Sequence, residues 1–204
     1  MKRGVALLGL VLVLLGVFAV LSSAQEKPSA AEETKPAAEE KKPTFKYVGG
    51  SKCKMCHKTE AQGKQYGIWA SNPHAKAYKT LATDQSKEIA GKYKDMKDPQ
   101  KDARCLKCHV TAFGVDAKLI KASFKMEDGV QCEACHGPGS KYKSPKVMKA
   151  LSKGTQDPAE VGYIASDEKL CVTCHNKESP TYKPFKFEEA YKKIAHPIPK
   201  KATK

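Results

Sequence analysis

Cys53-Lys-Met-Cys56-His57, Cys105-Leu-Lys-Cys108-His109, Cys132-Glu-Ala-Cys135-His136 and Cys171-Val-Thr-Cys174-His175 are four copies of one motif, and between them they use all eight cysteines of the chain. The C-x-x-C-H pattern is the attachment site for c-type haem. Two thiols three residues apart lie on one side of a helical turn and can add to the two vinyl groups of a haem edge. The histidine that follows turns its imidazole to the iron as proximal ligand. Two other readings compete: disulfides in an oxidising compartment, or two four-cysteine zinc sites. Neither requires a histidine after every second cysteine, whereas covalent haem requires all four. The expectation is therefore four covalently bound haem c groups, one on each cysteine pair, with His57, His109, His136 and His175 on the irons.

Composition agrees with a core built partly from cofactor. Hydrophobic residues make up 40% of the 204, and residues 4–21 hold a large share of them. The remainder is too lean in apolar and aromatic side chains to build an ordinary enzyme core alone. The first cysteines of the motifs are spaced by 52, 27 and 39 residues. That is too uneven for a tandem repeat, so one haem-packed unit is expected.

Upstream, Lys2 and Arg3 precede an apolar run from Gly4 to Leu21, and Ser22-Ser23-Ala24 follows with small residues. This reads as a secretory signal over residues 1–24, cleaved after Ala24. The rival is an uncleaved anchor, because 18 apolar residues are near the lower limit for a membrane span. Either reading exports the rest of the chain to the periplasm or beyond, makes nucleic acid an unsuitable partner, and leaves membrane attachment only to an uncleaved segment. Residues 25–44 consist almost wholly of Glu, Lys, Ala and Pro and read as a flexible tether. The haem-bearing domain is expected over residues 45–204.

Four irons have eight axial positions, and the chain has only six histidines. Beyond the four proximal residues only His74 and His196 remain, so at least two haems lack a second histidine from their own chain. In Ser71-Asn-Pro-His-Ala-Lys-Ala-Tyr-Lys-Thr-Leu81, Ser71 or Asn72 can cap a helix whose first turn holds Pro73. His74, Tyr78 and Leu81 then share one buried face. His196 ends Phe187-Glu-Glu-Ala-Tyr-Lys-Lys-Ile-Ala-His196 and stands half a turn from the apolar stripe. Pro197 should end the helix before it and free it from that register. Both histidines are expected to be distal iron ligands. Met96, Met126 and Met148 read as core filler before ligands.

Beyond the motifs, His74-Ala-Lys-Ala77, Gly129-Val-Gln-Cys-Glu-Ala-Cys-His-Gly-Pro-Gly139 and Phe185-Lys-Phe-Glu-Glu189 resemble the tetrahaem cytochrome c-554 family of nitrifying bacteria, over roughly residues 45–198. The resemblance implies a mainly α fold with little sheet, irregular loops and closely packed haems. It implies three haems with two histidines and a five-coordinate second haem, here the one on His109. By position it pairs His74 with His136 and His196 with His175. Near Lys146, where the family has a histidine for the first haem, this sequence has none. The distal ligand of the haem on His57 stays open between Met148, Lys146, another chain or none.

The formal net charge is +15, and loss of Lys2 and Arg3 with the leader leaves +13. Two readings of this charge stand side by side: solvation of a cofactor-rich body, or docking to an acidic redox partner. The leading functional reading is an exported electron carrier. A reductase of a small nitrogen or oxygen species at an open iron, and a self-associating subunit of a conductive filament, are the alternatives.

Overall fold

The structure, a computed structural model, describes residues 44–198. The expected signal over 1–24 and all but the last residue of the expected tether lie outside the described residues, as do residues 199–204. Ten α-helices run in chain order: α1 (Gly50–His57), α2 (Gln65–Ser71), α3 (Ala77–Thr80), α4 (Asp84–Ala90), α5 (Ala103–His109), α6 (Cys132–His136), α7 (Pro145–Ser152), α8 (Pro158–Val161), α9 (Glu168–Cys171) and α10 (Phe187–Ile194). Among the described residues the only extended pairing is one parallel bridge, Tyr47 with Ile120. The fold is mainly helical, with long irregular connections.

The helices are short because their stop and start signals are close together. Asp102 caps α5 by accepting from the Arg104 amide at 2.9 Å, Asp167 caps α9 through Leu170, and Ser144 caps α7 with Pro145 in its first turn. Such caps satisfy amides that a short helix cannot pair internally. Asn72 does the same for His74, accepting from its amide at 3.0 Å. The helix expected from residue 73 onward is divided, however. Pro73–Lys76 forms a 3-10 turn before α3 begins.

The apolar core is small. Leu81, Leu106 and Val110 form its centre, with Tyr78 and Cys105 packed against them. The most deeply buried large side chains are polar: Gln131 and Glu133, each 1% exposed. Glu133 accepts from the amides of Val48 at 2.8 Å, Gly49 at 2.7 Å and Gly139 at 2.6 Å. Gln131 accepts from the Gly50 amide at 2.7 Å and donates to the Lys125 carbonyl at 2.8 Å. Buried polar groups are tolerated when every donor and acceptor finds a partner. Three of these partners, Val48, Gly49 and Gly50, lead into α1, so this pair of side chains clamps the third motif to the first.

A second tie places His74. Its carbonyl accepts from Val130 at 3.0 Å, and Gly129 sits against it with φ +68°. A Cβ on Gly129 would come within 2.8 Å of that carbonyl, so only glycine permits the approach.

Truncating Glu133 to Ala strands several buried amides. The expected cost is about 3 kcal/mol or more, from about 1–3 kcal/mol for each buried donor left without a partner. The Glu133→Ala melting curve, followed by far-ultraviolet circular dichroism, should show a markedly lower midpoint than the parent. An unchanged midpoint would remove the clamp from the account.

Candidate functional site

Each motif sits on a helix or its continuation. The first three end their helices on the histidine: α1 on His57, α5 on His109 and α6 on His136. The fourth begins at the end of α9 and continues as a turn, in which the His175 amide donates to the Cys171 carbonyl at 3.0 Å. In all four the two cysteines and the histidine therefore fall on about one helical turn, as attachment to a single planar group requires. No disulfide joins any of the eight cysteines. Nor, among the described residues, do three or more His, Cys, Asp or Glu converge as a zinc site would need.

The motifs approach one another in an order different from that in the sequence. Glu133, between Cys132 and Cys135, accepts from the Val48 and Gly49 amides just before α1, which joins the first motif to the third. The His136 carbonyl accepts from the Ile164 amide at 3.1 Å, in the segment that leads into α9, which joins the third to the fourth. Lys107, inside the second motif, pairs with Glu178 just beyond His175, which joins the fourth to the second. The spatial order is first, third, fourth, second.

The histidines form two facing pairs. The rings of His74 and His175 have centroids 6.0 Å apart, and those of His136 and His196 are 5.9 Å apart. A metal bound by both rings through bonds of about 2 Å, with about 1 Å from each ring nitrogen to its centroid, gives a separation of about 6 Å. The two pairs thus have the spacing of imidazoles on opposite sides of one iron. Partial burial lowers the pKa of all four rings. His175 also lowers that of His74, His196 that of His136, and His57 those of His136 and His196. Neutral imidazole is the form that binds metal.

This pairing corrects the one implied by resemblance, which joined His74 to His136 and His196 to His175. The reason lies in the connections. α10 ends at Ile194, Ala195 is extended, and the segment that follows is held beside α1 through Gln65, whose side chain donates to the Pro197 carbonyl at 3.0 Å. Because α1 is clamped to the third motif, His196 arrives at His136. His74 is left to meet His175, whose ring also stacks on Phe185 at 4.8 Å.

His57 and His109 belong to neither pair. His109 Nδ1 lies 2.7 Å from the Ala77 carbonyl, and His57 Nδ1 lies 3.2 Å from Gln65 Oε1. A donor Nδ1–H turned to such an acceptor leaves Nε2 bare for a metal. Lys146 and Met148 lie on α7, the first exposed and the second half-buried. Among the described residues, no hydrogen bond joins either to His57. Sequence reasoning missed Gln65, Glu133, Phe185 and Tyr163, which stacks on His136 with ring centroids 5.6 Å apart, as parts of the site. Glu133 alone carried a signal, a carboxylate placed inside a haem motif.

The family profile described as "Cytochrome c554 and c-prime" matches residues 52–137, from the start of the first motif through the third. A curated protein, "Cytochrome c-554" of Nitrosomonas europaea, is 32% identical over 176 residues, covering 72% of this chain and 73% of that protein. The chain belongs to the cytochrome c-554 family. It is accordingly a c-type cytochrome with covalently bound haem, an electron carrier that works with redox partner proteins. No solved structure matches the chain. Among the described residues of this cytochrome, no helix is long and apolar enough to cross a membrane.

The crossed histidine pairing is open to a direct test. Changing Cys171 and Cys174 to Ala removes the fourth attachment site. In that background His74→Ala should leave the low-spin electron-spin-resonance signals unchanged, while His196→Ala should still convert one haem to high spin. The reverse pattern would restore the pairing by resemblance.

Proposed function

We propose that this cytochrome is an exported tetrahaem electron carrier, with one haem on each of Cys53/Cys56, Cys105/Cys108, Cys132/Cys135 and Cys171/Cys174. The observation that carries the reading is the two pairs of facing imidazoles, at 6.0 and 5.9 Å, set beside four attachment motifs that each occupy about one helical turn. Haem iron supplies reversible one-electron chemistry, with potentials set by axial ligands, burial and hydrogen bonding. His175 with His74, and His136 with His196, would hold two irons from both sides. His57 and His109 would each hold one from a single side, and His109 is the site at which small ligands bind.

The interleaved order makes the first and second motifs the two ends of the array. At the first end, Cys56 is exposed and Met55 is 71% exposed. Around them stand Lys52, Lys54 and Lys58, and an open cleft beyond is lined by Lys46, Lys121 and Lys143. Among the described residues none of these lysines is in an ion pair. An apolar centre with a basic rim supports brief docking of an acidic redox partner, since charge complementarity raises encounter rates. The apolar run before residue 25 supports export to the periplasm, and the folded haem domain is taken to begin near residue 45.

The purified protein should be heavier than its mature polypeptide by four haems in the mass spectrum, and a lower count would overturn the tetrahaem reading. The ferrous protein should give a carbon monoxide difference spectrum that weakens when His109 is replaced. Protein inert to carbon monoxide would have its second site closed by another ligand, leaving electron transfer as the sole activity.

A further inference from the structure

Gln65 opens α2 and is 9% exposed. Its amide has two partners. Nε2 donates to the Pro197 carbonyl at 3.0 Å, and Oε1 lies 3.2 Å from His57 Nδ1. A carbonyl oxygen can only accept, so Pro197 fixes which end of the amide is the NH2. The oxygen must then face His57, and an oxygen can only accept. His57 Nδ1 is therefore the protonated nitrogen, and Nε2 keeps its lone pair. One hydrogen-bonding constraint, on a backbone carbonyl, is relayed through a side chain into the tautomer of a motif histidine.

The approach is tight on its third side. Gly63 has φ +88°, and a Cβ there would lie 2.7 Å from Gln65 Nε2 and 2.8 Å from the Pro197 carbonyl. Lys64, just before Gln65, is itself in the left-handed region at φ 50°. Non-glycine residues hold that conformation only where their surroundings impose it. Pro197 also follows His196, which faces His136 of the third motif. The same amide therefore touches the histidine of the first motif and the segment that delivers a histidine to the third. At His109 the corresponding acceptor is the main-chain carbonyl of Ala77, which no side-chain change can remove.

We infer that Gln65 is a positioning residue that couples two metal sites: it holds His57 in the Nδ1–H tautomer with Nε2 free for iron, and it secures the segment that presents His196 to the iron on His136. This inference rests on haem being bound at Cys53/Cys56 and Cys132/Cys135. The hydrogen bond from a ligand histidine to its acceptor sets how strongly the ring donates to the metal, and such outer contacts tune haem potentials.

The test uses the full-length cytochrome with its haems, and haem number is measured first by mass. Gln65→Glu gives His57 a charged acceptor, adds electron density to the ring and favours ferric iron. The midpoint potential of the haem lost in a Cys53/Cys56→Ala protein should fall. Gln65→Leu removes the acceptor, and the same potential should rise. Both variants lose the donor to Pro197, so both should show a partial loss of the low-spin signal that depends on His196. Gly63→Ala, the second variant, sets a Cβ against both Gln65 Nε2 and the Pro197 carbonyl. It should disturb the two sites together, weakening the His196-dependent signal and raising the His57 haem potential as Gln65→Leu does. Opposite shifts for Glu and Leu cannot come from loosened packing alone. If both variants carry four haems and the potential stays fixed, or moves in the same direction in both, the inference falls and the tetrahaem reading stands. A parent without haem on Cys53/Cys56 overturns both.

Discussion

A buried carboxylate holds the first and third motifs together. Glu133 is buried to 1% exposure between amides of residues 48, 49 and 139, and among the described residues no ion pair accompanies it. Burying a charge is costly unless hydrogen bonds replace its hydration. Three backbone donors do so here, and they come from segments up to 85 residues away in sequence. A charged acceptor makes stronger bonds than a neutral one, so the clamp is most favourable when the segments are held together. The position of α1, and with it His57, Gln65 and the returning C-terminal segment, follows from that contact.

The small apolar core takes on meaning in this setting. Leu81, Leu106 and Val110 suffice to seat α5 against α3, but they do not organise the other motifs. Those are placed by polar contacts to backbone: Trp69 Nε1 on the Val130 carbonyl at 2.8 Å, Tyr142 Oη on the Gly137 carbonyl at 2.7 Å, and Val130 on His74. Ion pairs contribute little, because the charged groups in them lie at the surface. Directional hydrogen bonds fix angles as well as distances, which apolar packing between a few short helices cannot do.

Much of the chemistry was legible in the sequence because its spacing is local. The motifs, the Asn72 cap and the end of α10 before Pro197 all depend on neighbours within a few residues, and the structure carries the cap and the helix end as expected. The mainly helical fold came from resemblance and also stands. The division of the helix at Pro73–Lys76 was not legible. It depends on the His74 carbonyl meeting Val130 and Gly129, contacts that local periodicity does not encode. The partners of His74 and His196 were misassigned for the same reason. A count of histidines limits how many pairs form, but only the path of the chain decides which ring meets which.

That path interleaves the motifs, and interleaving has a physical consequence. If spatial order followed sequence order, each neighbouring pair could form from one contiguous stretch and the array could assemble stepwise. Here the first motif meets the third across the whole intervening second motif, and the second meets the fourth across the third. Closing such long loops costs chain entropy before any contact is gained, and topologies dominated by distant contacts form slowly. Side chains that bind two distant segments at once offset this cost most effectively. Glu133 joins residues 48–49 to 139, and Gln65 joins residue 57 to 197. Glu133 lies inside the third motif and Gln65 lies between motifs, and together they bring the first and third motifs, and the histidine that serves the third, into one cluster.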